Sequence, residues 1–253
     1  LLLHFIMNND SIPTVAYLTG SIITAAISIF WWLKTIQQHT DAKGTNNVQL
    51  SLAFDVASSM FVTEMIGFLR SMMDTIIIGR YLTVEDVGIY KVAMRTATIT
   101  SIALSSVLVS ITPKIAEVFA CGDNKRMAQV VQKSTKLIFW TSVPALVVFI
   151  LFPQFVLGLF GKGFIVGANV LVLLSIAQFI NASTGPVANI LSMTGKHKVL
   201  RNITVATSLV TVTLNFIFVR EYGILFAAFT NMLGFAFLNL IPMFMVRYYY
   251  GFY

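Results

Sequence analysis

The stretch Phe61-Val-Thr-Glu-Met-Ile-Gly-Phe-Leu-Arg-Ser-Met-Met-Asp-Thr-Ile-Ile-Ile78 carries Glu64, Arg70 and Asp74 in an otherwise apolar run. The other long apolar runs of the chain are almost free of charge. An ionised side chain near the bilayer centre costs about 2.5–3.5 kcal/mol on insertion scales, so such residues face a bundle interior or a watery cavity and mark a functional pathway. Arg70 and Asp74 are one helical turn apart and can pair. At 100° per residue Glu64 lies about 80° around the helix from Asp74, so one broad face could hold all three.

Composition agrees with a membrane setting. Charged residues make up 11% of the 253 and hydrophobic residues 57%, against about 25% charged in ordinary soluble domains. Such a chain has too little polar surface for a soluble globule. Uncharged runs of spanning length, about 18 residues or more, occur at 11–33, 96–113, 137–161, 163–195, 202–219 and 222–246. With the charged segment 54–78 they predict an all-α, polytopic membrane protein of about seven transmembrane helices. The apolar Leu1–Met7 reads as the tail of an eighth, in a chain that begins partway through a longer protein. The runs are continuous rather than alternating, as helices that satisfy their own backbone in lipid require and barrel strands do not.

Basic residues give the orientation. Eleven of the 17 Lys and Arg fall in alternate loops, the clusters being Lys114 to Lys136 and Lys196 to Arg201, and only Arg80, Lys91, Lys162 and Arg220 fall in the opposite ones. The basic side is assigned to the cytoplasm. The net charge of +7 is then a topology signal and an attraction to anionic lipid, with no soluble domain to bind nucleic acid. The chain divides into the end of one lobe (1–34), a polar cytoplasmic linker (35–52) and a six-helix unit (53–253). Such a unit after a long linker points to one lobe of a two-lobed transporter. The basic connection from Lys114 to Lys136 is expected to form an interfacial amphipathic helix, with Ile115, Val118, Phe119, Met127, Val130 and Val131 toward lipid. Pro144, Pro153, Pro186 and Pro242 are expected to loosen their helices, with Gly185-Pro186 as the hinge.

Two segments carry a family resemblance. Phe68-Leu-Arg-Ser-Met-Met-Asp-Thr-Ile-Ile-Ile-Gly-Arg-Tyr-Leu-Thr-Val-Glu-Asp-Val-Gly-Ile-Tyr90 resembles the seventh helix and outer turn of polysaccharide transporter flippases, through Asp74, Gly79, Glu85, Gly88 and Tyr90. Asn189-Ile-Leu-Ser-Met-Thr-Gly-Lys-His-Lys198 is similar to that family's turn between its tenth and eleventh helices. The resemblance implies the sixth helix and C-terminal lobe of an O-antigen or lipid-linked oligosaccharide flippase, within the multidrug/oligosaccharidyl-lipid/polysaccharide superfamily. It further implies an anionic polyprenyl-diphosphate-linked oligosaccharide as substrate, moved by alternating access for surface polysaccharide synthesis in a bacterial plasma (inner) membrane. Membrane lipids and other polysaccharide assembly proteins are the partners it implies.

The residues themselves supply a charged interior. Arg70 is either a structural lock for Asp74 or a cavity-lining contact for an anionic head group, and a guanidinium suits a diphosphate. Glu64, Asp74 and Arg95 complete the candidate substrate-binding set, Arg95 standing at the interface or at the cavity mouth. Asp55 reads as interfacial, and the Ser, Thr and Asn residues of the spans as interhelical glue. Two other functions stay open: a multidrug or cation antiporter, for which Glu64 and Asp74 are the working acids, and a membrane glycan polymerase or ligase. Catalysis has poor support, because the chain has neither a phosphate-binding Gly-x-x-x-x-Gly-Lys-Ser/Thr loop nor a His-Glu-x-x-His pair. Neither a metal nor a cofactor is expected, and Cys121 is alone.

Overall fold

The computed structural model describes residues 12–39 and 50–252, and the regular structure described is helical throughout. The chain separates into two units, Leu1–Leu50 and Ser51–Tyr253. The first contains α1 (Ile12–His39), whose 28 residues rise about 42 Å, more than the roughly 30 Å of a hydrocarbon core. The hydroxyls of Thr24 and Ser28 donate to carbonyls four residues back, so the apolar face running from Ile22 to Trp31 exposes no unpaired hydroxyl there. The helix continues past Lys34, where the polar linker was expected to begin. The 1–7 stretch and residues 40–49 of the expected linker lie outside the described residues.

The second unit opens with the charged helix α2 (Leu50–Tyr81). A short turn follows, and Thr83 caps α3 (Val84–Ala97): its hydroxyl accepts from the Asp86 amide, and the Asp86 carboxylate accepts from the Thr83 amide. This reciprocal cap satisfies two otherwise orphaned donors and fixes the turn. A 3₁₀ turn (Thr98–Ser101) leads into α4 (Ile102–Ala120), so one helical stretch covers Val84–Ala120. The span expected at 96–113 therefore starts twelve residues earlier. Lys91 and Arg95 stand eight and twelve residues beyond the cap, roughly 12 and 18 Å along the helix.

The expected interfacial helix between Lys114 and Lys136 does not form. Instead α4 ends at Cys121, Gly122 turns with φ 71°, and α5 (Asn124–Leu151) begins under an Asp123 cap that accepts from the Arg126 amide. Ile115, Val118, Met127 and Val131 are fully buried, packed with Ile190, Leu191, Leu200 and Val246. Covering such side chains is worth about 1.5–3 kcal/mol each relative to exposure in water. The helical hairpin buries on its own neighbours the stripe that an interfacial helix would have turned to lipid.

Beyond Phe152 the chain breaks into α6 (Pro153–Gly158), a 3₁₀ turn (Lys162–Gly167), α7 (Ala168–Ser183) and α8 (Val187–Met193). Pro153 starts α6, and Pro186 follows Gly185 at the break between α7 and α8. Gly185 has φ +67°, and a Cβ there would run into the Thr135 hydroxyl. Only glycine combines that conformation with that contact. Pro144 and Pro242 stay inside helices that continue through them. The last element, α9 (His197–Tyr250), is two helical arms, 197–222 and 224–250, broken at Gly223.

Helix α7 packs against α9, α5 and α3, and its small residues Ser175, Ala177 and Ala182 are completely buried, on more than one side of the helix. Small residues of this kind let helix backbones approach closely in a membrane. Val84–Ala120, Asn124–Leu151, Lys162–Ser183 and the two-armed α9 are each long and apolar enough to cross a bilayer. Helix α2 has the length, at 32 residues, but carries Asp55, Glu64, Arg70, Asp74 and Arg80 along it. The protein is an all-α polytopic membrane protein.

Candidate functional site

Asp74, on α2, is 4% exposed and gathers three helical segments besides its own. Its Oδ1 accepts from Asn215 Nδ2 at 2.9 Å, and its Oδ2 accepts from Asn231 Nδ2 at 3.0 Å and the Tyr90 hydroxyl at 3.4 Å. Asn215 and Asn231 belong to opposite arms of α9. The break at Gly223 folds the arms together, and Asn215 Oδ1 also accepts from the Thr230 hydroxyl. A buried carboxylate left without donors would be costly, whereas each charged hydrogen bond contributes about 1.5–3 kcal/mol.

Arg70 lies one turn from Asp74 but makes no ion pair with it. The ion pairs among the described residues are Lys114–Glu117, Lys198–Asp55 and the His197–Asp55 contact. The Arg70 guanidinium instead lies 5.2 Å from the centre of the Phe235 ring, a cation–π arrangement. Its Nε is buried without a hydrogen-bond partner among the described residues. Gly234 lets the side chain pass, since a Cβ there would lie 2.7 Å from Arg70 Nη1. The arginine borders a cavity of about 200 Å³ whose other walls include Ile66, Leu69, Met73, Ser208 and Val212. Eleven residues separate it from the end of α2 at Tyr81, roughly 16 Å along the axis. A cation at that depth, with donors to spare, is chemically ready for an anion.

The other two candidates stand elsewhere. Glu64 is exposed to a cavity of about 300 Å³ shared with Asn181, Asn189, Ser192, Phe235 and Asn239. Arg95 is exposed to a third, about 290 Å³, with Lys91, Thr96, Ile99 and Phe160. The single broad face expected for Glu64, Arg70 and Asp74 is thus divided: Asp74 points into the helix core, while Arg70 and Glu64 border separate cavities, Phe235 lining the Glu64 cavity and receiving the Arg70 guanidinium on its ring.

Asp55 and the turn 195–198 hold the basic end together. Lys198 Nζ is 2.8 Å from Asp55 Oδ2 and His197 Nε2 3.7 Å from it, and Lys196 Nζ lies 4.6 Å from the Tyr249 ring. Asn189, from the same motif, donates to the Thr112 hydroxyl at 3.0 Å. Sequence reasoning missed Asn215, Asn231 and Phe235 as partners of the charged residues. Their only signal was polarity in an apolar helix, for the asparagines, and none for Phe235. Among the described residues no group of three or more His, Cys, Asp or Glu is placed to hold a metal ion.

Apolar helices enclosing a buried carboxylate and a half-buried arginine define a multi-pass membrane protein with a polar interior. Residues 59–217 match the MatE family, and the chain belongs to it. It is 24% identical over 233 residues, 92% of its length, to a protein of Haloferax volcanii described as "Probable low-salt glycan biosynthesis flippase Agl15". The chain spans about half, 49%, of that relative. No solved structure matches it.

Proposed function

We propose that the chain is the C-terminal lobe, with part of the preceding one, of a flippase for an anionic polyprenyl-diphosphate-linked oligosaccharide. The lipid tail stays in the bilayer while the head group crosses between two lobes by alternating access, supplying surface polysaccharide synthesis. The observation that carries this reading is Arg70: a guanidinium about 16 Å from the helix end, unpaired with acid, its Nε without a partner, at the edge of a cavity. Diphosphate oxygens would accept bidentate bonds from such a group. The similarity to a protein described as a glycan biosynthesis flippase supports the substrate class. A bacterial plasma membrane with the basic end in the cytoplasm completes the reading.

A second reading has its own support. Asp74 is a buried carboxylate with no ion pair among the described residues, and Glu64 is a second carboxylate, exposed to a cavity. In a multidrug or cation antiporter of the same superfamily, Asp74 and Glu64 would be the working acids.

The full-length protein, reconstituted with labelled lipid-linked oligosaccharide, should move it across the bilayer without changing its mass. Arg70→Ala should abolish movement at normal abundance, and Arg70→Lys should retain part of it because the charge survives without the planar fork. Normal movement by Arg70→Ala would return the arginine to a structural role. A chain-extended product would replace the flippase with a polymerase.

A further inference from the structure

The cavity beside Glu64 differs in chemistry from the one beside Arg70. About 300 Å³ in volume, it falls at the small end of ligand pockets, which run about 300–1,000 Å³. Its lining includes one charged side chain, the Glu64 carboxylate, and no Lys or Arg. A diphosphate would meet a like charge there and no cation.

The remaining polar groups divide into committed and open ones. Asn239 is committed: it accepts from the Thr184 hydroxyl and donates to the Phe235 carbonyl. Asn189 spends its amide on Thr112 and keeps its carbonyl oxygen. The side chains of Glu64, Asn181 and Ser192 take no hydrogen-bond partner among the described residues, so a carboxylate, an amide and a hydroxyl stand open around one small space. Phe235, Met60 and Met193 supply apolar wall between them. Acceptors and donors for vicinal hydroxyls, interleaved with apolar patches for C–H faces, fit a neutral saccharide ring. An organic cation would use the carboxylate and the apolar wall but leave the amide and hydroxyl idle.

Phe235 joins the two environments. Its ring borders this cavity and also receives the Arg70 guanidinium, and Glu64 precedes Arg70 by six residues, about 9 Å along the same helix. One ligand with an anionic head and an uncharged polyhydroxyl group would meet both at once.

We infer that the Glu64 cleft is a saccharide subsite, holding the sugar next to the diphosphate that faces Arg70. This rests on the flippase reading and adds to it the residues that would read the glycan.

The test uses the full-length protein with Ser192→Cys as its reactive thiol and any native cysteine, Cys121 included, changed to Ser. The labelling rate by a maleimide is measured with three probes: oligosaccharide released by mild acid from the host's lipid-linked pool, inorganic pyrophosphate, and tetraphenylphosphonium. The released oligosaccharide should slow labelling, and the other two should not. Adding Glu64→Gln should weaken that protection roughly tenfold, about the worth of one charged hydrogen bond. Asn181→Ala provides a second variant should Glu64→Gln fail to accumulate. Protection by tetraphenylphosphonium, no protection by the oligosaccharide, or a thiol that never reacts would each overturn the subsite. Failure of the flippase reading shows itself separately, as a wild-type protein that moves no lipid-linked oligosaccharide in vesicles.

Discussion

The hydroxyl of Tyr90 lies 3.4 Å from Oδ2 of Asp74, closing the two ends of one sequence motif on each other inside the bundle. Between them the chain runs to the end of α2, turns at the Thr83–Asp86 cap and comes back along α3. The motif is therefore a helical hairpin with a charged clasp, and the Thr83–Asp86 cap fixes the turn that makes the clasp possible. Asn215 and Asn231 then bind the hairpin to both arms of α9.

The clasp and the amide bonds should differ in strength. Tyr90→Phe removes one long bond and should cost no more than about 1 kcal/mol. Asn215→Ala strips a donor from a buried carboxylate and the acceptor from Thr230, so it should cost about 2–4 kcal/mol. Thermal unfolding of the full-length protein in detergent checks the order, and an equal or larger loss for Tyr90→Phe would contradict it.

Gly234→Ala offers a way to move Arg70 without changing its charge. The new Cβ would lie 2.7 Å from Nη1 and 3.2 Å from Thr211 Cγ2. The first obstacle is the far end of a flexible side chain, so the fold should survive while the guanidinium leaves Phe235. Transport should fall toward the level of Arg70→Lys at normal abundance. Wild-type transport by this variant would show that the position of the guanidinium does not matter.

Cys121 is exposed in the turn between α4 and α5 and serves as a native topology probe. With no other cysteine in the full-length protein, an impermeant maleimide should reach it only after the cells are opened. Gly163→Cys, in a Cys121→Ser background, should react in intact cells. Labelling of Cys121 in intact cells would invert the orientation.

Fold class was legible because uninterrupted apolar length has one solution in lipid. Helix ends were less so. Hydropathy does not change at the breaks at Gly185-Pro186 and before Pro153, which fall within continuous apolar runs, and it was the glycine and the prolines that marked them. The stripe of Ile115, Val118, Met127 and Val131 misled for a related reason, since a helical period looks the same whether lipid or another helix covers it. At the candidate site the charged positions stood out through their cost in an apolar helix. Their neighbours did not, because Asn215 and Asn231 lie 141 and 157 residues from Asp74 and nothing local pairs them.

That separation also sets an order of events during synthesis. At about 5–20 residues per second, roughly 7–30 s pass between the appearance of Asp74 and that of Asn215, 141 residues later. Through that interval the nascent α2 holds a carboxylate and a guanidinium that lipid does not tolerate. Tyr90, only sixteen residues on, is the earliest of the three donors to emerge. Its weak bond would then have a use that its strength in the finished protein does not reveal: it would shield the acid while the ribosome is still making the asparagines. Biogenesis, more than final stability, is where the loss of that hydroxyl would be felt.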